Sequence, residues 1–213
     1  LAKIKVALGV SEERSPPRKI RLESAQYPPS NDKKRDGNLM PAEKPSETWF
    51  EIVVRVLKAN DVNLVAYVPD NVLAPLLKMI HADPFFTTIV PAREEEAVAI
   101  VTGAYMGGRR GIVLMQTSGF ATIPNALASL ASPYQIPLLM MISERGVIGE
   151  FQIGQSIVCR TMRPVLQCLG IEHFAIQEMA QVEFVVNGMI KQAFSTQSPA
   201  AMILSPLLTK RVA

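Results

Sequence analysis

A three-layer α/β fold, with about six parallel strands between helices on both faces, is what this sequence predicts from residue 46 onward. Two observations carry that expectation. Helix-like and strand-like segments alternate along the chain. The strand-like segments run four to six residues and are largely apolar with little alternation. Strands of that kind lie buried on both faces of a parallel sheet.

The elements follow in order. Thr48 and Glu51 have capping-box spacing, with Ser46 as the other candidate cap, and Ile52, Val53, Val56 and Leu57 share one face of the helix they open. Residues 64–68 form a short apolar run closed by Pro69, and Val72, Leu73, Leu76, Leu77 and Ile80 give a second helix. Residues 87–90 read as a strand ended by Pro91. The Ala-rich stretch 94–106 reads as a helix stopped by Gly107-Gly108, with Arg109-Arg110 suited to the negative end of its dipole. Residues 112–116 form a third strand, 123–130 a helix and 138–142 a fourth strand. A long loop to about residue 158 precedes a helix near 162–169. A strand near 172–176, a helix from 181 to about 196 and a last strand at 200–204 complete the pattern.

Composition narrows the class. The chain has 213 residues, 48% apolar and 19% charged, enough for a sizeable core without staples. Its net charge of +3 is unevenly placed. Residues 1–45 hold ten Lys/Arg against six Asp/Glu, leaving twelve against thirteen for the remainder. The basicity therefore belongs to the N-terminal stretch, and the folded part gives no reason to expect nucleic acid. Residues 11–45 contain Pro16-Pro17, Pro28-Pro29, Pro41 and Pro45 with mixed charge, so 1–45 is expected to be a disordered or extended basic tail and 46–213 the domain. Cys159 and Cys168 form no C-x-x-C pair, so neither a disulfide framework nor a zinc site is expected. No run approaches the ~18 apolar residues of a membrane helix, and no signal-peptide pattern opens the chain. No membrane partner and a cytoplasmic location are expected.

In open parallel sheets, ligands bind beyond the carboxyl ends of the strands. That rule selects Pro69-Asp70-Asn71, Ala92-Arg93-Glu94, Gln116-Thr117-Ser118-Gly119 and Ser143-Glu144-Arg145-Gly146. Neither G-x-G-x-x-G after the first strand nor a Walker loop occurs. The Gly107–Gly111 cluster follows a helix and precedes a strand, the wrong edge for a phosphate. Glu94, Glu95 and Glu96 open a helix, where the dipole favours acids, and a solvated helix end accounts for them on composition alone. The helix nonetheless spreads them over different faces. Glu94 is nearest the strand end and able to point into the crevice, while at least one neighbour faces solvent. At 116–119, short polar groups and a glycine permit close approach of a planar ligand, or form an ordinary capped turn.

Three stretches together resemble a known family. They are Val68-Pro69-Asp70-Asn71-Val72-Leu73, the run from Arg93-Glu94-Glu95-Glu96-Ala97 to Gly103-Ala104-Tyr105, and the run from Met115-Gln116-Thr117-Ser118-Gly119 to Asn125-Ala126-Leu127. They look like the pyrimidine-binding (Pyr) domain of thiamine-diphosphate-dependent decarboxylases, in the sulfopyruvate and phosphonopyruvate decarboxylase branch. The likeness covers roughly residues 46–206 in element order. Its most specific part is Glu94 with Ala97 three positions on and Gly103 nine positions on.

The resemblance implies a Pyr-type thiamine-diphosphate-binding fold and gives the residues roles. Glu94 is placed as the cofactor-activating acid, which hydrogen-bonds N1′ of the aminopyrimidine. Gln116, Thr117, Ser118 and Gly119 are placed against the cofactor. Asp70 becomes an acid/base or positioning group beside substrate, with Pro69, Asn71 and Arg145 as substrate-binding residues and Arg145 as partner for a sulfonate or phosphonate. Two positions depart from the family pattern. Ala121 replaces an expected Gly, which would narrow the pocket. Glu144 replaces an expected His or aromatic residue, and would repel an anionic substrate unless paired with Arg145. His81 and His173 read as structural.

The family's diphosphate- and Mg²⁺-binding motif, which begins Gly-Asp-Gly and closes in Asn-Asn, does not occur in this sequence. By the resemblance, this chain is an alpha subunit, and a beta subunit holds the Mg²⁺ and the diphosphate. The implied reaction is decarboxylation of a small anionic 2-oxo acid, sulfopyruvate first. The alternatives are phosphonopyruvate decarboxylation, an acetolactate-synthase-like Pyr subunit, or a Pyr-like binding module without chemistry.

Overall fold

The computed structural model of the chain describes residues 47–209. The reading of 1–45 as a tail, and Ser46 as a cap, lie outside that range. The elements are α1 (Trp49–Ala59), β1 (Val62–Tyr67), α2 (Ala74–Ala82), β2 (Thr87–Ile89), α3 (Glu94–Met106) and β3 (Arg110–Gln116). Then come a helical turn α4 (Thr117–Phe120), a short helix α5 (Pro124–Ala126) that runs on as a π-helical turn (Leu127–Ala131), and β4 (Leu139–Ser143). The chain closes with α6 (Ile153–Cys168), β5 (Glu172–Ile176), α7 (Met179–Thr196), β6 (Ala200–Leu204) and a last turn α8 (Pro206–Thr209).

The six strands form one sheet in the order β2-β1-β3-β4-β6-β5, and every neighbouring pair is parallel. The three-layer parallel fold expected from the sequence is the fold observed. Alternate strand residues feed two cores. Val65, Tyr67, Ile112, Leu114, Met141 and Met202 pack with α1, α2 and α7. Leu64, Ala66, Val113, Met115, Ile142 and Ile203 pack with α3, the 120–131 segment and α6. Apolar residues at both parities are therefore required, which is why these strands show no period of two. The edge strands differ: β2 and β5 carry exposed positions, as sheet edges do.

Thr48 caps α1 through a complete capping box with Glu51, whose carboxylate accepts the Thr48 N–H at 2.7 Å. At the other end of α3, Gly108 adopts φ +83° and the Arg109 N–H returns to the Ala104 carbonyl at 2.9 Å, closing the helix as expected. Arg109 and Arg110, however, serve the amino edge of the sheet. Arg109 donates to Asn63 and Thr87, and Arg110 lies over the Phe194 ring at 4.7 Å.

Helix α6 is the main departure, starting at Ile153 and not near 162. Ile153, Gly154 and Ile157 in its first turns are exposed, so no apolar stripe marks them in the sequence. Pro164, a residue suited to a first turn, lies inside the helix instead.

The sheet order reverses between β1 and β3, because the chain runs from β1 outward to β2 and then back to β3. The carboxyl ends of β1 and β3 thus flank a crevice of the kind that binds ligands.

Candidate active site

The three acids opening α3 separate as helix geometry requires. Glu95 is paired with Arg93 at 3.1 Å, and that guanidinium holds its carboxyl below the ordinary value. Glu96 turns back to accept the Ala92 N–H at 2.9 Å. Glu94 is half-buried and has no hydrogen-bond partner among the described residues. Its side chain lies across Gly119 in α4. A Cβ at 119 would fall 2.8 Å from Glu94 Cγ and 2.6 Å from Cδ. With Glu94 in this rotamer, only glycine fits at 119.

Residues 116–119 divide by role. Gln116 ends β3 with its Oε1 atom buried and unpartnered. Two acceptors, this amide oxygen and the Glu94 carboxylate, thus stand without donors at the carboxyl edge of the sheet. A buried acceptor left unmade is costly unless a ligand or water supplies an N–H or O–H. Ser118 is half-buried beside them. Thr117 differs from the expectation of a ligand-facing hydroxyl. It is fully buried, its Oγ1 donates to the Ser143 carbonyl at 3.2 Å, and it accepts the Arg145 N–H at 2.9 Å. Its hydroxyl ties the end of β3 to the end of β4.

Beyond β1, Asp70 is half-buried, with Pro69 and Asn71 exposed on either side. Asp70 Oδ2 accepts the N–H groups of Val72 and Leu73 at 3.1 and 3.3 Å and the hydroxyl of Ser143 at 2.8 Å. Asp70, Asn71, Glu144, Arg145, Glu150 and Phe151 are among the residues lining a crevice of about 380 Å³. Glu94 and Gly119 do not line that crevice, so the expected site residues fall into two adjacent groups along one sheet edge. A larger hollow of about 680 Å³ lies against α1, but its charged residues are already paired there, Arg55 with Glu47 and Lys58 with Asp83.

The loop after β4 corrects two expectations. Arg145 does not stand free for an anion. It makes a two-pronged bond to Glu150 at 3.0 and 3.1 Å, and Glu150 is itself almost fully enclosed. Glu144 does not pair with Arg145 either; its buried carboxylate pairs with Arg163 of α6. Two of the three acids lining the crevice, Glu144 and Glu150, are therefore neutralised by separate arginines, and Asp70 is not. Ala121 is exposed at the end of α4 and is not among the residues lining the crevice of about 380 Å³. Sequence reasoning passed over Glu150, and named Ser143 only within the strand-end group 143–146, with no role of its own. Glu150 lies in a stretch without periodicity, and Ser143 carried only the signal of a polar residue closing an apolar strand.

Glu150 also accepts the N–H groups of Gly146, Phe151 and Gln152. The Arg145 guanidinium holds its carboxyl below the ordinary value near 4.5, the two amides of Gln152 and Gly146 add to this, and burial opposes them. A depressed folded value places the stabilisation above the unfolded value and removes it as pH falls through the folded one. The protection factors of the Gly146, Phe151 and Gln152 amides, with the intrinsic pH dependence of exchange removed, are therefore expected to be constant from about pH 7 to about 5 and to fall below that. In Glu150→Gln the same amides should have low protection factors with no such step. An identical pH step in that variant would assign the transition elsewhere.

Comparison with known proteins gives a consistent picture. Residues 47–155 match the family described as thiamine pyrophosphate enzyme, N-terminal TPP binding domain. The chain is 32% identical over 154 residues to sulfopyruvate decarboxylase subunit alpha of Methanothermobacter thermautotrophicus, covering 72% of this chain and 93% of that protein. It is 37% identical over 89 residues to phosphonopyruvate decarboxylase of Streptomyces viridochromogenes, covering 42% of this chain and 22% of that one. Among solved structures, the 2-oxoglutarate:ferredoxin oxidoreductase from Magnetococcus marinus superposes with a TM-score of 0.59 at 12% identity. That match covers 76% of this chain and 29% of the other, and it speaks to the fold alone.

Proposed function

Since the chain belongs to the thiamine pyrophosphate enzyme family, through its N-terminal TPP-binding domain, we propose that it is the pyrimidine-binding alpha subunit of a two-subunit 2-oxo acid decarboxylase, converting sulfopyruvate to sulfoacetaldehyde and CO₂. The observation that carries the reading is Glu94, the one acid of three left without a partner, lying over a glycine that leaves room for it.

The residues present fit thiamine diphosphate. The Glu94 carboxylate and Gln116 Oε1 are acceptors awaiting donors, and an aminopyrimidine ring carries N–H groups. When bound, that cofactor supplies the electron sink for the carbanion left by loss of CO₂. Glu94 holds and returns a proton at the ring nitrogen, and Gly119 permits the carboxylate to lie where it does. Ser118 would contact the same ring. Asp70 and Asn71 face the substrate crevice, with Asp70 as the proton-exchanging group. Arg145 meets an anionic tail only by exchanging Glu150 for it. The beta subunit supplies the Mg²⁺ and diphosphate side of the site, which this chain's sequence lacks. The subunit name of the Methanothermobacter relative supports that division.

Co-expression with a chain bearing Gly-Asp-Gly and Asn-Asn motifs, followed by assay against a panel of 2-oxo acids, tests the proposal. The complex is expected to decarboxylate sulfopyruvate, and the purified chain alone to bind cofactor poorly and to be inactive. Preference for phosphonopyruvate would favour the second reading, supported by the Streptomyces relative. A C–C ligation product from pyruvate would indicate an acetolactate-synthase-like subunit. Robust decarboxylation by the purified chain alone would overturn the split site.

A further inference from the structure

We infer that Ser143 is a positioning residue that aims Asp70 by saturating one of its two carboxylate oxygens. The inference rests on the proposed function for its consequence and on this chain's own geometry for its basis.

Ser143 closes β4, after Leu139, Met140, Met141 and Ile142, all fully buried. It is itself 0% exposed. A hydroxyl in such a place costs free energy unless bonded, and an aliphatic residue would suit the packing better. Its Oγ is bonded to Asp70 Oδ2 at 2.8 Å, the shortest of the three bonds that oxygen accepts. The bond joins the ends of β1 and β4, two strands separated by β3. The Ser143 carbonyl is fixed in turn by the Thr117 hydroxyl, which receives the Arg145 N–H. The three strand ends flanking the crevice are thus locked to one another through side chains.

The consequence lies in which oxygen remains. Oδ2 accepts three hydrogen bonds and has no capacity left for a ligand. Oδ1 has no protein partner among the described residues, and Asp70 lines the crevice. Of the two oxygens, only Oδ1 can therefore exchange a proton with a bound molecule. Glu144 and Glu150 line the same crevice but are held by Arg163 and Arg145. Without the Ser143 hydroxyl, Asp70 keeps only the two longer bonds to backbone amides, and its carboxylate is free to turn. A small misplacement of a reacting group costs rate far more than binding.

A double-mutant cycle in the alpha/beta complex tests this. Ser143→Ala is expected to lower kcat about 10-fold or more with KM changed less than about 3-fold. In an Asp70→Ala background the same substitution should lower kcat less than about 2-fold further, because the group it positions is gone. Multiplicative losses would mean that Ser143 acts on the fold and not through Asp70. The second measurement needs no activity: a crystal structure of the Ser143→Ala chain. Asp70 should occupy alternative rotamers, and an unchanged, singly populated carboxylate would overturn the inference even if the complex decarboxylates nothing. Failure of the proposed function would instead appear as an inactive wild-type complex with Asp70 shifted as expected in the variant.

Discussion

Glu94→Gln is expected to lower turnover of the reconstituted complex by at least ~10²-fold at saturating cofactor. The amide has the same size and keeps one acceptor, but it has no proton to exchange with a ring nitrogen. The fold should tolerate it. Glu94 makes no hydrogen bond among the described residues that the substitution would break. Glu95 and Glu96 still place two negative charges at the positive end of α3, so the loss of dipole interaction stays within about 1 kcal/mol. Glu95→Gln and Glu96→Gln provide the contrast. Those acids are engaged with Arg93 and the Ala92 N–H, and turnover should remain within about 3-fold of wild type. Steady-state kinetics with a melting curve for each variant decide the matter. A Glu94→Gln complex with near-normal kcat would remove the basis for cofactor activation by this residue.

Gly146→Ala is expected to give the largest loss of stability among single-methyl additions in this chain. Gly146 has φ +92°, which an L side chain adopts only with strain of about 1–3 kcal/mol. The added carbon would also meet the Gln155 backbone carbonyl and fall 2.6 Å from Cys159 Cβ, both on α6. Backbone and Cβ atoms of a helix cannot rotate aside, so the loop or the helix has to move. Together these effects should cost about 3 kcal/mol or more, which in a folded unit of this size lowers Tm by about 6–12 °C. The Arg145–Glu150 pair should open with it, since Gly146 sits between Arg145 and the amides that Glu150 binds. Gly154→Ala, one residue into α6 with open space around it, should be neutral or stabilising by about 0.5–1 kcal/mol. If Gly146→Ala melts within about 2 °C of wild type, the loop does not pack on α6 as described.

Much of this fold was legible in advance, for physical reasons that show in particular elements. Helix α3 and strands β5 and β6 have the bounds expected, because Glu94 with its acidic neighbours, the Gly107-Gly108 stop and the apolar strand runs are all local signals. Strands buried on both faces announced a parallel sheet. The start of α6 was missed because residues 153–158 include no fully buried apolar side chain, and the buried stripe begins only at Cys159. Within the site, local chemistry singled out Glu94, Gln116, Gly119 and Asp70 as strand-end residues. It could not say that Thr117 faces inward, since a threonine in a polar turn reads the same whether its hydroxyl holds β4 or a ligand.

Fold class, the sheet edge to search and the acid to suspect were thus determined by the chain's own order of residues, because each depends on neighbours within a turn or a strand. Partner choice was decided only in three dimensions. Arg145 has an acid beside it in Glu144 and another five positions away in Glu150, and spacing alone cannot choose between them. The close packing of Gly146 on α6 chooses, by folding Glu150 back onto Arg145 while Arg163 takes Glu144. The bond from Ser143 to Asp70 spans 73 positions and passes over the end of β3, so it exists only because β1, β3 and β4 lie side by side.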